Sequence, residues 1–183
     1  IDGLQLYQRT DMFRFSFDAI ALIHFCRFNS RHTYVDLGTG TGVMPLIGTS
    51  LGAGHITGID INETLIDLAQ RSVEHNHKQD QVSMLCGDYR DMSYRDVQDK
   101  PFDGVIVNPP FYDCESGAKP LSEERALALH DGHTTLEEVL KTVQSFIKCK
   151  GRLWMIYSAN RLQYVLHELE VANFQAKRIR FIH

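Results

Sequence analysis

The 183-residue sequence has no CxxC pair, no zinc-ligand spacing, no G-x-S-x-G and no long hydrophobic run. Each absence excludes something. Without roughly 18 consecutive apolar residues there is no candidate membrane span. The four cysteines, Cys26, Cys86, Cys114 and Cys149, lie far apart with no secretory leader ahead of them. That pattern predicts reduced thiols in a soluble cytoplasmic protein, not a disulfide scaffold. Of the nine histidines, His75 and His77 sit two apart near a helix end and face different directions, while His130 and His133 bracket a glycine in a loop. No metal site is expected from such spacing. Serine hydrolase chemistry lacks its nucleophile elbow. Internal repeats, low-complexity tracts and linkers are missing too, so residues 1–183 read as a single domain, with 43% apolar residues to build its core.

Charge of one sign is scarce overall, at a net −4, but its distribution is uneven. Residues 141 to 183 hold eight Lys/Arg against Glu168 and Glu170, a net +6, which leaves −10 for the other 140 residues. A basic C-terminal face of this kind either meets phosphate or is simply solvated. The chain opens at Ile1 without methionine and stops at His183 inside a strand-like run, and we read it as a segment of a longer protein.

What is present is an alternation of short aliphatic runs with amphipathic stretches, the pattern of β-α-β units around a parallel sheet. Strands are predicted at Thr33 to Leu37, His55 to Ile61, Val82 to Cys86, Phe102 to Val107, Arg152 to Ser158 and Lys177 to Ile182. Helices are predicted near 17–28, 43–51, 63–76, 135–149 and 160–172, the fourth opened by a capping box at Thr135 and Glu138. The one long irregular segment, Tyr112 to Thr134, reads as a surface loop able to fold over a ligand.

Chemistry concentrates at the carboxyl ends of the predicted strands. In "YVDLGTGTGVMPL", residues 34–46, a strand carrying Asp36 passes through Gly38, Thr39, Gly40 and Gly42 into a helix. Glycines so spaced permit a tight turn and let a ligand approach the backbone. A dinucleotide-binding loop needs glycine where Val43 stands, which disfavours a nicotinamide enzyme. Asp36 is an awkward neighbour for pyrophosphate and a good one for a cationic amino-acid ligand. Asp60, followed by Ile61, closes the next strand 22 positions after Gly38, where nucleotide-binding folds place a carboxylate for ribose hydroxyls. The third strand ends in Asp88 and Tyr89. Any one of these acids could be a solvated strand cap; three at one sheet edge point to a ligand.

The fourth strand runs into "NPPF", Asn108, Pro109, Pro110 and Phe111. Prolines lack the N–H that a central strand needs, so the strand must stop there. An exocyclic amino group is a poor nucleophile because its lone pair is delocalised. A site that accepts hydrogen bonds from both its N–H groups, through the Asn108 side-chain oxygen and the Pro109 carbonyl, favours the tetrahedral nitrogen of the transition state. Phe111 would stack on a planar base, and the prolines would stiffen the turn.

In order and spacing, "DLGTGTG", Asp60, Asp88 and "NPPF" resemble the class I S-adenosylmethionine-dependent methyltransferases that modify planar amino nitrogens. More narrowly, "FRFSFDAIALIHF" at 13–25 and "KRIRFIH" at 177–183 resemble the bacterial tRNA adenine-N6 methyltransferases that act beside a valine anticodon. The resemblance implies a Rossmann-like three-layer α/β/α domain with a mostly parallel sheet. It implies that Asp36, Gly38, Thr39 and Gly40 hold the methionine part of S-adenosyl-L-methionine, Asp60 and Ile61 its ribose, and Asp88 and Tyr89 its adenine. Asn108 through Phe111 would hold the target base, with tRNA as substrate, and Arg14 and Asp18 could help to cover the cofactor. Ribosomal RNA guanine N2, a protein glutamine and a non-catalytic binding module remain alternatives, because "NPPF" also serves similar enzymes. Members of that family continue past the last strand, and their fourth motif residue is commonly Tyr where this chain has Phe111.

Overall fold

The computed structural model describes residues 3–12, 15–109 and 134–182. The chain runs α1 (Phe17–Phe25), β1 (Thr33–Leu37), α2 (Val43–Ser50), β2 (His55–Asp60), α3 (Glu63–His75), β3 (Val82–Cys86), β4 (Phe102–Val107), α4 (Leu136–Phe146), β5 (Ile147–Met155) and α5 (Leu162–Val171). Two 3₁₀ turns, Tyr89–Asp91 and Tyr94–Asp96, lie between β3 and β4.

The five strands form one parallel sheet in the order β3-β2-β1-β4-β5. From β1 the chain steps outward through β2 to β3, then returns to the other side of β1 as β4. This reversal is the switch point at which open α/β sheets bind ligands, outside the carboxyl ends of the strands.

The period of two along each strand sorts the core into two layers. Tyr34, Ile56, Ile106 and Trp154 face α1 and α2, where they meet Ala19, Leu22, Ile23, Val43, Met44 and Ile47. Val35, Leu37, Ile59, Val105 and Val107 face the other way, onto Val139, Val143 and Phe146 of α4. Helices therefore cover both faces, and the fold is the expected three-layer α/β/α type. The inner strands β1, β2 and β4 are largely apolar because both of their faces are buried. The α4 capping box forms as read, Thr135 Oγ1 accepting from Glu138 N at 3.2 Å and Glu138 Oε2 from Thr135 N at 2.8 Å.

The helix expected near 17–28 ends at Phe25, and the α4–β5 junction also differs from the expectation. The fourth helix was expected to reach 149, and the fifth strand to span Arg152 to Ser158. Instead α4 stops at Phe146 and β5 runs Ile147–Met155. Ile147 pairs with Phe102 and Arg152 with Gly104, so the intervening residues loop out of register, with Lys150 at φ 64°. The apolar stripe that suggested a longer helix continues because Ile147, partly buried, packs against the core on that face of the sheet.

The strand expected at Lys177 to Ile182 does not form: this stretch carries no strand pairing, and Ile179 and Phe181 are about half exposed. Alternation gives a segment strand propensity, but a ladder needs a partner. Here Arg178 and Arg180 turn instead onto the ring of Phe25 at the end of α1, 3.9 and 5.4 Å from its centroid.

Among the described residues, Cys26, Cys86 and Cys149 are free, and no helix is long and apolar enough to cross a membrane. Cys26 is buried against Leu22, its Sγ 3.3 Å from the Leu22 carbonyl oxygen, and burial pushes its thiol pKa far up.

Candidate active site

Leu37 pairs with Val107. The next residues, Gly38 and Asn108, therefore leave adjacent strands side by side, at about the 5 Å spacing of neighbouring strands. Both line a pocket of about 60 Å³ with Thr39, Gly40, Thr41 and, from the start of α1, Phe15, Ser16 and Ala19. Asn108 is half-buried and lines this pocket, and Pro109 is buried. Pro110 and Phe111 lie outside the described residues, as do Arg14, His130, Asp131 and nearly all of the 112–134 loop.

The glycine loop takes its shape from its dihedrals. Gly38, Gly40 and Gly42 all have positive φ, at 77°, 56° and 75°. The Gly38 and Thr39 amides donate to the Ile59 carbonyl at 2.9 and 3.0 Å, which ties the loop to the end of β2. A side chain at Gly40 would meet nothing within 4 Å, and one at Gly38 would find only the Tyr89 ring, 3.9 Å away. Those two glycines leave open space where a ligand can approach. Gly42 differs: a Cβ there would stand 2.6 Å from Met84 Cε and 3.0 Å from Ala69 Cβ, so it is glycine for packing.

Asp36 is wholly buried. Its Oδ2 accepts from Thr39 Oγ1 at 2.7 Å, and its Oδ1 has no hydrogen-bond partner among the described residues. Burial, reinforced by the nearby charge of Asp60 and opposed by the Thr39 hydroxyl, pushes its pKa up to about 7. An orphaned buried carboxylate oxygen is costly and asks for a donor.

Asp60 performs a structural task besides any contact with a ligand. Its Oδ2 accepts from the Gly40 amide at 2.8 Å and its Oδ1 from Asn62 N at 2.9 Å. Burial raises its pKa and those backbone donors pull it back. Each oxygen keeps a further lone pair. At the end of β3 the expected pair divides: Tyr89 packs toward Gly38, whereas Asp88 is held by Arg90, with Nη2 to Oδ2 at 2.6 Å and Nε to Oδ1 at 2.9 Å.

Several contributors have no individual role in the sequence analysis, although Phe15, Ser16 and Ala19 fall within the stretch at 13–25 and Thr41 within "DLGTGTG". Phe15, Ser16, Ala19 and Thr41 line the pocket. Gly58 in β2 makes room for Thr39, since a Cβ there would stand 2.6 Å from Thr39 Oγ1. The N-terminal segment straps onto α3: Gln5 and Asn76 exchange two hydrogen bonds, and Tyr7 N donates to Ser72 Oγ at 2.9 Å. That strap brings Gln8 Nε2 to 3.5 Å from Thr41 Oγ1 at the rim of the glycine loop. Contacts across 65 residues or more leave no local trace. Asp18, which the resemblance suggested as a cover for the cofactor, receives the Ser16 hydroxyl at 3.3 Å at the start of α1. Among the described residues no three His, Cys, Asp or Glu gather as a metal site.

A parallel sheet reversing at β1/β4, a positive-φ glycine loop at the switch point and an acid closing β2 define the Rossmann-like fold of the class I S-adenosylmethionine-dependent methyltransferases. The sequence matches the family described as "Methyltransferase domain" over residues 28–179, and the chain belongs to that family. It is similar to a tRNA1(Val) (adenine(37)-N6)-methyltransferase of Shewanella sp. (strain W3-18-1), at 22% identity over 160 residues, 87% of this chain. The chain spans 66% of that relative's length, just under two thirds. Among solved structures it resembles a precorrin-6y C5,15-methyltransferase from Geobacter metallireducens, with TM-score 0.62 and 15% identity over 94% of this chain and 79% of the other. It also resembles a SAM-dependent methyltransferase from Thiobacillus denitrificans in complex with S-adenosyl-L-homocysteine, with TM-score 0.53 and 19% identity over 77% of this chain and 48% of the other.

The described residues fit that cofactor. The orphaned Asp36 oxygen suits a cationic amino group, the open faces of Gly38 and Gly40 suit a ligand lying on backbone, and Asp60 has lone pairs to spare for hydroxyls.

Proposed function

We propose that this chain binds S-adenosylmethionine over the β1 and β2 ends and methylates an exocyclic amino nitrogen, adenine N6 in a tRNA loop. The observation that carries the reading is the side-by-side exit of Gly38 and Asn108 from paired strands into one pocket. Asp36, Gly38, Thr39 and Gly40 would hold the methionine end, Asp60 and Ile61 the ribose, and Tyr89 with Asp88 the adenine. When bound, the cofactor supplies an electrophilic methyl group on a sulfonium. The chain supplies position and acceptors. The Asn108 side-chain oxygen and the Pro109 carbonyl would each take one N–H of the target amine, drawing its nitrogen toward a tetrahedral shape and aiming its lone pair at the glycine loop. No strong base is required, because the methylated nitrogen becomes acidic and releases its proton to water or a nearby carboxylate.

Adenine is supported by the motif at 108–111 together with the flanking stretches at 13–25 and 177–183, and by the similarity to the Shewanella tRNA1(Val) (adenine(37)-N6)-methyltransferase. A base in an RNA loop is already partly unstacked, so extruding it costs only about a few kcal/mol. The test is incubation of the protein with labelled cofactor and separate unmodified tRNA, ribosomal RNA and protein fractions, followed by mass spectrometry of nucleosides. N6-methyladenosine in tRNA is the expected product. N2-methylguanosine or methylglutamine would reject the adenine reading, and no transfer to any fraction would reject catalysis.

Two further outcomes follow from the geometry. Gly58→Ala should weaken S-adenosylmethionine about tenfold, roughly 1.4 kcal/mol, although residue 58 itself faces protein. The added methyl would displace Thr39 and strip Asp36 of its one hydrogen bond. Unchanged affinity by calorimetry would mean that the Thr39–Asp36 contact is dispensable.

The second concerns pH. With its folded pKa raised from 3.8 to about 7, Asp36 holds a proton in the native state that the unfolded chain has already lost. Its contribution to stability is therefore full below pH 4 and is lost as pH rises toward 7 and above. A cationic ligand beside Asp36 drives that proton off. Cofactor affinity should accordingly rise between pH 6 and 8, with proton release visible as a buffer-dependent heat. Asp36→Asn should flatten both the stability slope and the affinity slope; a variant that keeps either slope would reject the assignment.

A further inference from the structure

Helix α1 joins two features that the sequence does not connect. At its start, Ser16 and Ala19 line the pocket. At its end, Phe25 carries Arg178 and Arg180 on its ring, and Arg178 Nη2 also donates to the Phe25 carbonyl. Arg27, just past the helix, and Arg152, on the edge strand β5, lie close enough to Arg178 for their charges to act on it. All four side chains belong to exposed residues, and among the described residues none of them forms an ion pair with an acid.

We propose that Arg27, Arg152, Arg178 and Arg180, gathered at the far end of α1, bind the phosphodiester backbone of the RNA whose base enters the pocket at the near end. This rests on the RNA reading of the site. Four like charges held together repel one another, and a chain with a net −4 has acids available to neutralise them. A solvated basic surface has no cause to order its guanidiniums, yet Arg178 is fixed by both a ring and a carbonyl. Arginine presents a planar fork that matches phosphate oxygens, and pre-ordering reduces what binding must freeze. The spacing is also suited. Six residues of helix separate Ala19 from Phe25, about 9 Å along the axis. The patch therefore meets phosphates flanking the target base and not the base itself, so it sets register while the pocket chooses the nucleotide.

The test measures binding apart from chemistry. A fluorescein-labelled RNA hairpin with an unpaired adenine in its loop is titrated with the protein by anisotropy at several salt concentrations. Wild type is compared with the double variant Arg178→Gln, Arg180→Gln and, separately, with Arg27→Gln, Arg152→Gln, whose side chains do not touch the Phe25 ring and which guard against a folding defect in the first. Each double variant should lose at least tenfold in RNA affinity at low salt. Each should also lower the slope of log affinity against log salt by about 1.4 to 1.8, near 0.7 to 0.9 per lost phosphate contact. Calorimetric affinity for S-adenosylmethionine should stay within twofold. Unchanged RNA affinity and slope in both variants would overturn the patch, even if the hairpin is methylated. Equal binding of poly-glutamate and RNA, weakened alike by the substitutions, would overturn it in favour of an acidic protein partner. A hairpin bound with the expected slopes but never methylated would leave the patch standing and reject the adenine assignment instead.

Discussion

Asn108→Ala should lower the rate of methyl transfer about 100- to 1000-fold while leaving the affinity for S-adenosylmethionine within twofold. The magnitude is that of removing one preorganised polar group aimed at the charge and shape of a transition state. The selectivity follows from position. Asn108 is the first residue beyond β4, half-buried at the pocket, with its backbone following directly from the Leu37–Val107 pairing beneath it. Truncation to alanine removes the acceptor and leaves the strand, the glycine loop and Asp36 in place. Single-turnover transfer to unmodified tRNA reads the chemical step, and calorimetry reads the cofactor. If both fall together, Asn108 is a structural residue and the acceptor role fails.

Asp60→Ala should do the reverse, weakening S-adenosylmethionine by about 10- to 100-fold before it affects a saturated rate. Hydrogen bonds to a charged group are each worth about 1.5 to 3 kcal/mol. Here one carboxylate holds the Gly40 amide at 2.8 Å and the Asn62 amide at 2.9 Å. Its loss would loosen the positive-φ loop and remove the proposed ribose acceptor in one step. Asp60→Asn keeps one carbonyl oxygen and should fall between wild type and alanine. Unchanged calorimetric affinity in Asp60→Ala would remove Asp60 from the cofactor site, whatever happens to turnover.

The parts of the site that could be read from the sequence are those with local causes. "DLGTGTG" predicts a left-handed turn because three glycines in five residues have few other uses, and all three take positive φ. Four of the predicted strands match closely, and in β1, β2 and β4 the cause is burial on both faces, which favours an apolar run. The misread segments share another property. Lys177 to Ile182 alternates like a strand yet pairs with no strand among the described residues, and Ile147 continues a helical stripe while belonging to β5. Composition reports burial at such places, not which element provides it. Asp88 is an acid at the right strand end, but the structure engages it with Arg90, two residues on.

By itself the sequence determined that a glycine turn, acids closing three strands and an amide-proline exit would stand at the ends of successive β-segments. Each of these depends on the dihedral preferences and hydrogen-bonding capacity of a few adjacent residues. Only the tertiary structure decided that Gly38 and Asn108, 70 residues apart, are neighbours, that Asp36 is sealed from water with one oxygen lacking a partner among the described residues, and that Arg178 and Arg180 lie on the Phe25 ring with Arg27 and Arg152 near Arg178. Those relations are set by strand order, by register and by which helix covers which face. All three arise from pairing and burial between distant segments, which no short stretch of chain encodes.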